Sequence, residues 1–254
     1  MRSWSIHRPG TSALHRANPL TKLAALLLLA ALLFVLPWPG AWAGTLLLLA
    51  AAFGLRIGGV VLRRYLVLAT PFLIAVFIFH GLIVDRPDRM PLAAFLSYSQ
   101  EGLTYAAVLG GRISLMLAGS LLFVATTNPA ALLRSLDVAG MPPGLSFLLA
   151  SPLLLIGEFT KRAGAIRDAQ QARGMRVDTF SDRLRALRLL AVPLVTLALA
   201  DAQERSGVLN GRAFRAFPRR AVLSPPPDTA LERRLRHALV AASVLLMGCA
   251  LWLR

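Results

Sequence analysis

The chain has 254 residues, 56% of them hydrophobic and 16% charged, a balance that excludes a soluble globular domain of ordinary composition. Its formal net charge of +16 is concentrated between long stretches that are nearly free of basic residues. That pattern points to membrane topology and excludes nucleic acid as the reason for the charge.

At the N-terminal side, Arg16 and Lys22 precede an apolar run from Leu23 to Leu36, and AWAG at Ala41 to Gly44 has the small-x-small form of a signal cleavage site. Further apolar runs follow at once, so the segment is read as the first span of a polytopic protein. A helix needs about 20 apolar residues to cross the hydrocarbon. The first predicted span runs from about Leu20 to Trp38, and PWPG at Pro37 to Gly40 turns the chain into a second from Ala41 to about Leu55. A third runs from Tyr65 to Val84 with Pro71 inside it, a fourth from Leu103 to Thr127, and a fifth from about Ala238 to Leu253.

Loop charge sets the orientation. The leading segment holds Arg2, Arg8, Arg16 and Lys22, and the second connection holds Arg56, Arg63 and Arg64, all without an acid; both are predicted to be cytoplasmic. The first connection is uncharged, and the third balances Arg86 and Arg89 with Asp85, Asp88 and Glu101, so these two face outward. From Asn128 to His237 the chain carries seventeen of its twenty-eight Lys and Arg residues against nine acids. The predicted fold is an all-α integral membrane protein of about five transmembrane helices, with long cytoplasmic amphipathic helices inserted before the last. Residues 1–127 form a four-helix membrane region, 128–237 the cytoplasmic region and 238–254 the final span.

Within the insert, Asn128 and Pro129 open a short helix that the Gly140 to Gly144 turn closes. The apolar runs Leu145 to Gly157 and Leu189 to Ala200 are too short to span and read as interfacial or protein-covered helices. From Ser181, a candidate N-cap, Leu184, Leu187, Ala191, Leu194 and Ala198 recur at helical spacing while Arg183, Arg185 and Arg188 take other positions, which makes an amphipathic helix.

The sequence offers little catalytic chemistry. A phosphate-cradling loop needs a Gly-Lys-Ser/Thr ending, and the two lysines, Lys22 and Lys161, follow Thr21 and Thr160. His7, His15, His80 and His237 are scattered, and His80 reads as a packed histidine near a membrane boundary. The single cysteine, Cys249, can form neither an internal disulfide nor a thiolate cluster. DAQQAR at Asp168 to Arg173 resembles part of the CDP-alcohol phosphotransferase motif. Ala165, Ala169, Asp182, Ala186 and Leu190 stand where that motif needs its remaining Asp and Gly residues. No metal site, cofactor or enzymatic activity is expected.

Two arginine motifs remain. Ala165, Ala169 and Ala172 share one helical face, Arg173 follows them, and Gly174 is suited to cap the helix. Further on, Gly211, Arg212 and Ala213 repeat the arrangement of an arginine between two small residues after a polar helix. A guanidinium stays charged and grips a carboxylate through two parallel hydrogen bonds; solvated positive-inside arginines are the plainer reading. Arg112 lies about 14 Å into the fourth span at 1.5 Å per residue, so it should face protein or water. Pairing with a backbone carbonyl is expected there ahead of a transport role.

Together these stretches resemble the transmembrane T component of energy-coupling factor (ECF) transporters, a family that includes the T proteins of biotin, cobalt and nickel uptake systems. NPLTKL at Asn18 to Leu23 is similar to the family's DPRTKL motif, with Asn18 for Asp and Leu20 for Arg. TTNPAALLRSL, GMPPGL and AQQARG match its pattern further on. The second arginine motif departs from it, with Gly211-Arg212-Ala213 where Ala-Arg-Gly or Ala-Arg-Ser is usual. The resemblance implies a multi-pass protein of a prokaryotic inner membrane with a cytoplasmic N-terminus. It implies coupling helices whose ends dock, through Arg173 and Arg212, in grooves of two ATP-binding-cassette ATPase subunits. Ala172, Gly174, Gly211 and Ala213 would give clearance, and the remaining helices would cradle a small substrate-binding S component in the bilayer, for uptake of a vitamin or transition-metal ion. A membrane lipid-headgroup transferase and a stand-alone permease are the alternatives of different class, and co-purifying partners discriminate among the three.

Overall fold

The computed structural model describes residues 13–84, 89–93, 96–175, 179–214 and 226–252. Contacts divide the chain into two compact units, one of Met1–Leu132 with Pro226–Arg254 and one of Leu133–Pro225.

In the first unit a short α1 (Ala13–Arg16) leads to α2 (Pro19–Val35). The Asn18 side chain accepts the Leu20 N–H at 2.9 Å and Pro19 fills the first turn, where its missing N–H costs nothing. Leu36 turns extended, and α3 (Trp38–Gly54) starts behind Pro37. The predicted turn at Pro37 to Gly40 is therefore a helix restart. α4 (Gly58–Ile78) runs through Pro71 and passes into a π turn at Phe79–Ile83.

The third connection holds a hairpin that the sequence pattern does not predict: β1 (Arg89–Ala93) and β2 (Leu96–Ser99) pair antiparallel, with Arg89 opposite Ser99 and Met90 opposite Tyr98. Among the described residues the fold is thus helical with one short two-stranded exception. Ser99 then caps α5 (Gln100–Thr126), its hydroxyl accepting the Gly102 N–H at 2.8 Å.

Packing centres on α5, whose buried Ala106, Gly110, Gly111, Ser114, Ala118 and Ala125 make a seam of small residues. α3, α4 and α2 all pack on this helix. In lipid no water drives apolar helices together, so close backbone approach and van der Waals contact carry the association. At Gly102 the approach is extreme: a Cβ there would collide with the His80 carbonyl oxygen, which only glycine avoids. His80 itself packs against Phe79 and Tyr105, as predicted for a boundary histidine. α9 (Ala230–Trp252) begins before the predicted fifth span and lies along α2. The outer faces are apolar, with Leu46, Leu47 and Val67 more than 60% exposed (68%, 71% and 66%). Such a surface suits a hydrocarbon solvent.

Among the described residues four helical segments are long and apolar enough to cross a membrane: Gly58–Ile83, Gln100–Thr126, Pro143–Ala172 and Ala230–Trp252. The protein is multi-pass. The count differs from the expected five because α2 and α3 have only 17 residues each, about 26 Å at 1.5 Å per residue. It also adds a candidate inside the region read as cytoplasmic.

In the second unit, and across its boundary, α6 (Pro129–Val138) is capped by Asn128, whose Oδ1 accepts the Ala130 N–H at 2.9 Å, and Gly140 closes the turn at φ +96°. Both features match the sequence reading. α7 (Pro143–Ala172) and α8 (Phe180–Gly211) follow. They correct the expectation of separate short apolar helices: Leu145 to Gly157 is the first half of α7, and Leu189 to Ala200 the middle of α8. Pro152 and Pro193 lie inside these helices without ending them. The N-cap of α8 is Thr179 in place of Ser181: its hydroxyl receives the Asp182 N–H and the Asp182 carboxylate accepts the Thr179 N–H, a capping box.

Candidate functional site

α7 and α8 run antiparallel. Arg162 on α7 bonds Asp201 on α8 at 2.7 Å, while Glu158, one turn earlier on α7, meets Arg162 at 2.6 Å and Arg205 at 3.4 Å. Phe147 near the start of α7 stacks edge-to-face on Phe214 just past α8, with ring centroids 5.2 Å apart. Beside this contact a groove of about 590 Å³ is lined by Phe147, Leu148, Leu155, Ala198, Ala202 and Leu209, among others. Apart from Ser146 on α7, neither helix has a buried residue. The unit therefore presents apolar side chains such as Leu154 (74% exposed) and Val192 (64%) on its surface.

The two predicted arginines occupy the same position in the same backbone structure. At the end of α7, Gly174 N–H donates to the Gln171 carbonyl at 2.9 Å and Met175 N–H to the Gln170 carbonyl at 3.1 Å. These are the paired bonds of a Schellman turn, and Arg173 is the residue at its cap. At the end of α8, Ala213 N–H donates to the Asn210 carbonyl at 3.0 Å and Phe214 N–H to the Leu209 carbonyl at 3.1 Å. Arg212 sits at that cap. The backbone angles agree closely: φ −84°, ψ 11° at Arg173 and φ −91°, ψ 14° at Arg212.

The residue after each arginine is left-handed, Gly174 at φ +85° and Ala213 at φ +52°. Glycine adopts this region freely, whereas an L-residue with a Cβ is strained there by about 1–2 kcal/mol. The inverted order Gly211-Arg212-Ala213 therefore puts each small residue where the other would serve better.

Both arginines are exposed, as are Ala172, Gly174, Gly211 and Ala213. Among the described residues neither guanidinium has an ion-pair partner, although Arg162 and Arg205 on the same helices do. Antiparallel packing puts the two caps on opposite sides of the ion-paired crossing. Arg173 lies eleven residues past Arg162 and Arg212 seven past Arg205, about 16 Å and 10 Å along their helices.

Arg112 lies in α5 twelve residues beyond its start, about 18 Å along at 1.5 Å per residue. The expected carbonyl pairing is not found: its Nε is buried without a hydrogen-bond partner among the described residues. What the sequence reading missed at the arginine ends is their backbone equivalence, for which Gly174 was a signal and Ala213 was not.

Residues 10–221 match the family model CbiQ, described as a cobalt transport protein. The chain is 26% identical to the energy-coupling factor transporter transmembrane protein EcfT of Exiguobacterium sibiricum, over 95% of this chain and 96% of that one. It is 29% identical to the energy-coupling factor transporter transmembrane protein BioN of Rhizobium etli, over 83% and 97%. It is also 27% identical, over 97% of its own length, to 32% of a putative ABC transporter ATP-binding protein of Bifidobacterium longum. The chain belongs to the CbiQ family and is a multi-pass membrane transport protein, the transmembrane T component of an energy-coupling factor transporter.

Proposed function

We propose that α7 and α8 are the coupling helices of this T component, and that Arg173 and Arg212 are its two contacts with an ATPase pair. The observation that carries the reading is the duplicated cap: two exposed guanidinia, held in one backbone geometry at two helix ends, with no acid of the described chain to satisfy either. A cation presented in this way is matched by a carboxylate in a partner's groove. Ala172, Gly174, Gly211 and Ala213 keep the flanks low enough for the groove walls to close around each arginine.

Partnership with ATPases is also supported by the B. longum protein, an ATP-binding protein by name, one third of whose length is similar to this chain. The apolar surface of α7 and α8 suits a small S component, and transport then follows from transmitted motion. ATP-driven closure moves the two docked ends relative to each other, and the Glu158–Arg162–Asp201 ties carry that displacement through the helix pair. A vitamin or transition-metal ion is the cargo, selected by the S component.

For topology we infer five crossings, α2, α3, α4, α5 and α9, with the N-terminus cytoplasmic. α2 packs along α9 and α3 along α5, so each short helix shares the depth of a partner long enough to span. α7 is different. Its second half carries Glu158, Lys161, Arg162, Arg167 and Asp168, too much charge for hydrocarbon. Residues 128–237 are accordingly the cytoplasmic coupling region, and the last span begins near 238.

Double replacement Arg173→Glu and Arg212→Glu tests the proposal. ATPases should co-purify with the parent chain and be absent from the double variant, with the amount of chain in the membrane unchanged. Retention of ATPases by the double variant would overturn the docking role.

A further inference from the structure

The NPLTKL stretch opens α2, and the docking reading gives it no role. Its Asn18 and Lys22 are buried, 3% and 9% exposed. Lys22 Nζ donates to the carbonyl oxygen of Thr126, the last residue of α5, at 3.0 Å, and lies 3.5 Å from that of His15. Asn18 Nδ2 donates to the Pro227 carbonyl at 3.1 Å, and the Asn18 backbone N–H donates to Glu232 Oε1 at 3.2 Å. Glu232 also caps its own helix: its Oε2 accepts the Thr229 N–H at 3.4 Å, and the Thr229 hydroxyl accepts the Glu232 N–H at 3.2 Å.

The partners of this cluster have a common property. The chain leaves the first unit after Leu132 and re-enters it at Pro226. Thr126 stands just before the exit and Pro227 just after the return, so one short segment grips both strands through which the arginine-bearing unit is joined. The grip is costly to build. A buried ammonium must be hydrogen-bonded and have an opposite charge nearby, and Glu232 supplies that charge. Asn18 answers three groups at once, the Leu20 N–H, the Pro227 carbonyl and the Glu232 carboxylate. An apolar helix start of the same shape would anchor α2 without any of this.

We propose that Asn18, Lys22 and Glu232 form a fulcrum, positioning residues that hold the exit and the return of the inserted unit together as a fixed point. Displacement at Arg173 and Arg212 then turns the unit about that point and is not dissipated in slack connections. The proposal rests on the docking reading for the source of the force; the clasp itself is measurable without it.

The test places nitroxides at Ala130 and Ala230, both exposed, in the intact transporter reconstituted in liposomes. The exposed free Cys249 is replaced by Ser. With an otherwise unaltered sequence, dipolar broadening should report one narrow distance that does not change on adding ATP and vanadate. The combination Lys22→Met with Asn18→Ala should at least double the width of the distribution. Lys22→Arg, which keeps a cation and its donors, should restore it. All these variants should retain the ATPases, because the arginine caps are untouched.

A narrow distribution in the double variant would overturn the proposal, as would a nucleotide-dependent shift with the clasp intact. Loss of the ATPases on breaking the clasp would overturn it too, by making the cluster a general folding element. If the double variant fails to accumulate, Lys22→Met against Lys22→Arg supplies the same comparison. Failure of the docking reading is distinct: the Arg173→Glu and Arg212→Glu double variant would then retain the ATPases, while the width comparison on the purified chain still decides the clasp.

Discussion

The ends of α7 and α8 reach one geometry from opposite sequences. Ala172-Arg173-Gly174 puts a good helix former in the last turn and a glycine in the left-handed position, so the Schellman turn forms without strain. Gly211-Arg212-Ala213 puts the flexible residue in the helix and a Cβ in the left-handed position, yet the same two hydrogen bonds close. Local preference therefore does not explain the second cap. Its turn is held by tertiary contact, where Phe214 stacks on Phe147, and the difference marks the α8 end as the softer of two otherwise equivalent plugs.

The largest expected effect breaks the equivalence of charge. Arg173→Glu and Arg212→Glu, made singly, should each weaken ATPase binding by about 100-fold, the scale for removing one partner of a desolvated charge pair, as read from the ATPase concentration that half-saturates membranes carrying the chain. A loss confined to one variant would show that only one end docks.

The next effect sharpens the comparison of backbones. Exchanging the flanks of the second cap, Gly211→Ala with Ala213→Gly, should stabilise it by about 2 kcal/mol, from relief of the left-handed Ala and a better last turn. The reverse exchange, Ala172→Gly with Gly174→Ala, should destabilise the first cap by a similar amount. Hydrogen exchange at the Phe214 and Met175 amides, which donate the closing bonds, measures both.

Smaller again is the tie between the helices. Arg162→Ala removes contacts to Glu158 and Asp201 at partly exposed positions and should cost little stability, because solvent screens such pairs, while loosening the coupling of motion between the caps. Spin labels on α7 and α8 should show a broadened separation.

The smallest effect lies at the other ends of the same helices. α7 starts at Pro142 with no side-chain cap, whereas α8 starts on the Thr179–Asp182 box. The Thr179 hydroxyl, and then its backbone N–H, hold the Asp182 carboxyl below its ordinary range. A carboxyl lowered in the folded state stabilises above its ordinary value, and that contribution is lost as pH falls through the lowered value. Acidification in that range should fray the first turn of α8 and leave that of α7 unchanged, as followed by amide exchange.

Much of this was legible in the sequence. Apolar length located the outer helices, Asn128 and Gly140 bounded α6, and the Ala-Arg-Gly pattern located the first cap. Hydropathy misread α7 and α8 because an apolar run that stops at a polar residue looks like a helix that ends there, although both helices continue past it. The β1–β2 hairpin gave no alternating signal long enough to find. The Asn18–Lys22–Glu232 cluster was out of reach for another reason: its bonds join residues more than a hundred positions apart, such as Lys22 to Thr126 and Asn18 to Glu232. Spacing along the chain carries no trace of such pairs.

The most direct measurement replaces residue 173, and separately residue 212, with a photo-crosslinking side chain in membranes that contain the assembled transporter. If the two caps are the ATPase contacts, both positions should yield adducts with the ATPase subunits, and both should vanish when the ATPases are withheld. Adducts from either position to lipid or to the chain itself, with the ATPases present, would contradict the account.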